Sequence, residues 1–98
     1  MVDDPFTRKW LRLLREDLER LSRGVPDTIY SGELEDALDE VRGVLKLLYG
    51  AEPREVEDLL AMTRSLRVRI ASSGSFYQPG LGLYQSRLTR LLDTLSTI

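Results

Sequence analysis

Apolar residues in this chain recur at intervals of three and four through four separate stretches, with glycine or proline standing near the boundaries between them. That spacing keeps each set on one stripe of an α-helix, which repeats about every 3.6 residues, and would scatter it over both faces of a strand. The pattern predicts an all-α fold, a four-helix bundle-like domain of amphipathic helices with no sheet. The nearest thing to a strand is Leu66 to Ala71, which alternates apolar with polar but continues a helical stripe with no turn signal before it.

Asp4 before Pro5 marks a helix start, because proline tolerates the first helical position, where its missing N–H would have no partner. Phe6, Trp10, Leu13, Leu14, Leu18 and Leu21 then share one stripe of a helix over about 5–23, with Gly24 as a left-handed stop. Val25-Pro26-Asp27 reads as a turn, and Asp27 or Ser31 caps a second helix over about 28–49, closed by Gly50. Its apolar face is Tyr30, Leu34, Ala37, Leu38, Val41, Val44, Leu45 and Leu48. Gly43 inside that helix costs roughly 1 kcal/mol relative to alanine, so it implies either close approach by another helix or a tolerated weak point.

Pro53 opens a third helix over about 53–71, with Glu55, Glu57 and Asp58 near its positive end and Arg64, Arg67 and Arg69 near its negative end. Its stripe is Val56, Leu59, Leu60, Thr63, Leu66 and Ile70, with Val68 off it. A loop over about 72–81 follows, then a last helix over about 82–98 whose seam is Tyr84, Leu88, Leu91, Leu95 and Ile98. A seam residue at the last position implies a packed end or continuation in a longer protein. The expected core is Trp10, Leu14, Leu18, Leu38, Val41, Leu45, Leu59, Leu66, Ile70, Leu88, Leu91 and Leu95.

Ninety-eight residues, 42% of them apolar and 31% charged, suffice for one helical domain over 1–98 that buries a core. The chain has no His and no Cys, and so lacks the usual general base near neutral pH, the thiolate nucleophile and the preferred ligands of zinc and transition metals. A non-enzyme without cofactor or metal is expected. One Asp or Glu with a strongly raised pKa in a deep pocket would reverse that. No apolar run approaches the roughly 20 residues that span a bilayer, and the opening residues MVDDPFTRKW are acidic and polar, so the expected location is cytoplasmic, with no membrane partner.

Charge is unevenly laid out. Arg8, Lys9, Arg12, Arg15, Arg20 and Arg23 face Glu16, Asp17 and Glu19 on the first helix, whereas Glu33, Glu35, Asp36, Asp39 and Glu40 face only Arg42 and Lys46 on the second. With a net charge of -2, this dipolar pattern suits pairing between helices or between copies, and no direct nucleic-acid contact is expected. Glu33, Asp36 and Glu40 share a helix face but have no turn or carbonyl cluster to complete a metal shell, and read as a solvated face. Gly80-Leu81-Gly82 lacks the preceding strand and the lysine of a phosphate loop.

The candidate partner-binding residues are Phe76 and Tyr77, with Leu81, Leu83 and Tyr84 beside them. Adjacent aromatics on a glycine-rich loop cannot both follow a helix stripe, so they serve either as contact anchors or as a lid on the bundle end. The apolar stripes together with this patch exceed what a small bundle needs to cover, and a homo- or hetero-oligomer with protein partners is expected.

Three segments carry a resemblance: Val25-Pro26-Asp27-Thr28-Ile29-Tyr30 leading into an acidic helix, Leu66-Arg67-Val68-Arg69-Ile70-Ala71 ending the third helix, and Gln78-Pro79 before the last. In that order they resemble the helical domain of GINS-family subunits, archaeal and eukaryotic DNA replication factors that assemble beside the replicative helicase. Gly80 and Leu81 stand where that family tends to place acidic residues, and its small β domain has no counterpart here. The resemblance implies a non-catalytic scaffold whose helical faces join sister subunits and whose assembly stiffens or activates the helicase. The residues alone are equally compatible with a small adaptor or secretion chaperone that holds a partner helix, or with a viral structural protein.

Overall fold

In the computed structural model, which describes residues 4–98, helix α1 (Pro5–Ser22) starts where the sequence predicts. Asp4 is extended, and its Oδ1 accepts from the Phe6 N–H at 3.0 Å while its Oδ2 accepts from the Thr7 hydroxyl at 3.3 Å. The end of α1 differs from expectation, because Gly24 is not left-handed. Closure falls to Thr28, whose hydroxyl donates to the Leu21 carbonyl at 2.8 Å. Gly24 is needed for room instead, since a Cβ there would lie 2.9 Å from the Thr28 methyl group.

The predicted second helix is two helices, α2 (Asp27–Tyr30) and α3 (Glu33–Tyr49). Gly32 breaks it with φ +86°, a conformation that side chains other than glycine's resist. The Arg67 guanidinium lies 3.3 Å from where a Cβ on Gly32 would stand, and its Nε donates to the Tyr30 carbonyl at 3.2 Å, so the break is held from another helix. Ser31 Oγ accepts from the Glu33 N–H at 3.3 Å, which makes Ser31 a support for the start of α3. Beyond it, α4 (Arg54–Ser73) and α5 (Leu81–Ser96) follow the predicted order.

The four long helices run up, down, up and down, each packed on two neighbours in the cycle α1, α3, α4, α5. The start of α1 meets the end of α5 through Arg8, which donates to the Ile98 carbonyl at 3.1 Å. The start of α3 meets the end of α4, where Glu35 pairs with Arg64 at 3.2 Å and Arg67 at 3.8 Å. Arg42 joins Asp39 of its own helix to Glu57 of α4, and Lys46 pairs with Glu52 at 2.8 Å, holding that carboxyl below the usual carboxylate range. Such exposed pairs orient helices more than they stabilise them.

Stability comes mainly from one apolar cluster. Leu18, Ile29, Leu34, Leu38, Val41, Leu59, Leu60, Leu66, Ile70, Leu88 and Leu91 are all but fully buried, each contributing about 1.5–3 kcal/mol of transfer free energy. Every residue of the predicted core is buried except Trp10, which is 46% exposed. The stripe of α1 that enters the core is Thr7, Leu11, Leu14, Leu18 and Leu21, offset from the predicted one. Gly43 is exposed and a Cβ there would meet nothing within 4 Å, so no helix approaches it within this chain and the weak-point reading applies.

Candidate functional site

Between α4 and α5, the segment 74–80 is held by its own hydrogen bonds. The Gln78 side-chain amide donates to Ser73 Oγ at 2.7 Å and to the Ser75 carbonyl at 2.8 Å, and Ser75 Oγ accepts from the Tyr77 N–H at 3.3 Å. Arg69 reaches across from α4 to the Pro79 carbonyl at 3.2 Å. The glycines here are structural punctuation: Gly74 (φ +73°) ends α4, Gly80 (φ +95°) starts α5, and Gly82 lies inside α5. The glycine-rich loop is therefore braced.

The five candidate contact residues separate into three groups. Tyr84 is a core residue, fully buried, with its hydroxyl 2.7 Å from Thr63 Oγ, and it is not available to a partner. Burial pushes its phenol up to about 12. Phe76 and Leu81 are half-buried against the core, and the Phe76 ring lies 5.3 Å from that of Tyr30 at an interplanar angle of 40°. Only Tyr77, 81% exposed, and Leu83, 55% exposed, present themselves to solvent.

A larger exposed apolar feature lies on α1. Phe6 is 82% exposed and Leu13 is 53% exposed, and with Trp10 they form a stripe at spacings of four and three that lies beside the core stripe rather than in it. The sequence carries the signal that separates the two. Extending Thr7, Leu11, Leu14 by the same spacing reaches Leu18 and Leu21, whereas extending Phe6, Trp10, Leu13 reaches Asp17 and Arg20, which pair with each other at 2.6 Å. A stripe that turns charged halfway along a helix cannot be its buried face.

The acidic residues Glu33, Asp36 and Glu40 stand exposed along α3. Among the described residues, no helix is long and apolar enough to cross a membrane. No family model matches this chain, and neither the curated proteins nor the solved structures contain a match to it.

Proposed function

We propose that this protein is a non-catalytic helical scaffold, a subunit that joins protein partners through the outward stripe of α1. The observation that carries this reading is the exposure of Phe6, Trp10 and Leu13 side by side on a helix whose other face is already committed to the core. Tryptophan and phenylalanine bury large areas with few rotatable bonds, which is why aromatic anchors dominate protein interfaces. Tyr77 and Leu83, at the opposite end of the bundle, supply a second, smaller contact area. The absence of His and Cys supports the non-catalytic part of the reading.

The resemblance to GINS helical domains makes sister subunits of such a complex, and with them a replicative helicase, the partners to try first. Light scattering at micromolar concentration tests the reading, with the chain alone and mixed with such subunits. A complex that Trp10→Ser with Leu13→Ser disperses supports it. A monomer under both conditions, or a complex indifferent to those substitutions, overturns it.

A further inference from the structure

The other flank of α1 faces the end of α5 across a cleft of about 480 Å³, whose lining includes Arg8, Lys9, Arg12 and Arg15 and, among the described residues, no acidic side chain. In a chain of net charge -2 this is a local reversal of sign. The acidic residues of α1 do not cancel it evenly. Glu19 holds Arg15 at 3.8 Å and Arg23 at 3.1 Å, and Asp17 holds Arg20, so neutralisation falls on the later turns. Lys9 and Arg12 make no ion pair or hydrogen bond with the described residues, and Arg8 already donates to the Ile98 carbonyl. The floor is apolar, formed by Leu11, Leu95 and Ile98.

We infer that this cleft is a docking site for an acidic amphipathic peptide segment of a partner protein, whose carboxylates meet Lys9, Arg12 and Arg15 while its apolar side chains rest on Leu11, Leu95 and Ile98. Charge complementarity selects the acidic partner, and the floor selects a peptide over a polyphosphate chain. From Arg8 to Arg15 the cations span seven residues of helix, about 10 Å. A nucleic-acid backbone following the helix further would run onto Glu16 and Glu19, whereas a short peptide segment ends before them. Low-dielectric walls on two sides concentrate the field of Lys9 and Arg12 within the cleft. This site is separate from the Trp10 stripe, so either can fail alone.

The test uses the whole chain and a fluorescein-labelled peptide of Glu, Leu and Ala with its leucines three and four apart, read by fluorescence anisotropy. We expect saturable binding that weakens with added salt, and a loss of roughly tenfold in affinity for Lys9→Gln with Arg12→Gln. Both positions are exposed and circular dichroism should leave that variant's helicity unchanged, while Arg54→Gln with Arg90→Gln, both outside the cleft, removes the same two charges as a control. Amide chemical-shift changes on titration should centre on α1 and the end of α5. Equal loss in the Arg54 and Arg90 double variant, shifts centred elsewhere, or no binding at low salt would overturn the proposal. So would competition by inorganic triphosphate as effective as the unlabelled peptide, or tighter binding of a single-stranded oligonucleotide.

Discussion

Thr63 and Tyr84 join α4 to α5 inside the core, and the geometry settles which hydroxyl donates. Thr63 has one hydroxyl hydrogen, and its Oγ lies 2.6 Å from the Leu59 carbonyl, which can only accept. Tyr84 therefore donates to Thr63 Oγ across the 2.7 Å between them, and both buried hydroxyls are satisfied. Replacing Thr63 by Val leaves the Tyr84 hydroxyl buried without a partner and should cost about 1–3 kcal/mol. Tyr84→Phe should cost about 1 kcal/mol, and the double variant should be less destabilised than the sum, since removing both partners removes the unmet hydrogen bond. Chemical denaturation of the four proteins measures this; strict additivity would show that the hydroxyls do not interact.

The same burial gives the fold a dependence on alkaline pH. Because the Tyr84 phenol is pushed up to about 12 in the folded chain, folding favours its neutral form. Its contribution is fully present below the ordinary tyrosine value of about 10 and is lost as pH rises from there through about 12, by an amount on the order of 2 kcal/mol. Tyr84→Phe should flatten the fall in stability over that interval. Denaturation curves across the interval check it, with the variant cancelling whatever the exposed tyrosines and lysines contribute; parallel curves would refute the assignment.

Two glycines should respond to alanine in opposite directions. Gly32 has φ +86° and the Arg67 guanidinium within 3.3 Å of a would-be Cβ, so Gly32→Ala should destabilise by about 1 kcal/mol or more. Gly43 sits mid-helix facing open space, and Gly43→Ala should stabilise by roughly 0.5–1 kcal/mol. Thermal melts of the two variants should move apart in sign.

On α1 the contrast is between neighbours on adjacent stripes. Leu18→Ala removes a fully buried side chain and should cost about 2–5 kcal/mol, from lost transfer energy and the cavity left behind. Trp10→Ala removes a larger side chain that is half in water and should cost far less, while reducing association if α1 is the contact face. A Trp10 variant as unstable as the Leu18 variant would place the indole in the core.

These contrasts also show what a sequence of this kind displays and what it withholds. The seams through Leu38, Val41 and Leu45, or Leu88, Leu91 and Leu95, are legible because burial of a helix face imposes a 3.6-residue period along the chain itself. The break at Gly32 depends on Arg67, 35 positions later, whereas the local pattern favours one continuous acidic helix. Trp10 misleads because hydrophobicity reports that a side chain avoids water, not which neighbour covers it. The basic cleft needs α5 folded back against α1, a relation that no local spacing encodes. Tyr84 lies on the seam that its spacing predicts, yet only the position of Thr63 distinguishes a buried hydrogen-bonded tyrosine from a contact residue.

The adjacent aromatics Phe76 and Tyr77 differ in burial, the first packed on the core and the second exposed. Phe76 packs on the core and against Tyr30, so its truncation removes buried apolar area and a ring contact, and Phe76→Ala should lower stability by about 1–3 kcal/mol without altering association. Tyr77 touches the fold chiefly through its backbone, its N–H bonding to Ser75 Oγ and its carbonyl accepting from the same hydroxyl at 3.3 Å, while its ring stands in solvent. Tyr77→Ala should therefore leave the melting temperature within about 1–2 °C of the parent, in line with a change of less than about 0.5 kcal/mol. If the ring is a contact anchor, the same change should weaken partner binding by about thirtyfold, the equivalent of 2 kcal/mol. Single variants separate what a double variant would merge: a stability loss confined to Phe76 identifies the lid, and a binding loss confined to Tyr77 identifies the anchor. Unchanged binding in the Tyr77 variant, with the partner in hand, would confine recognition to α1.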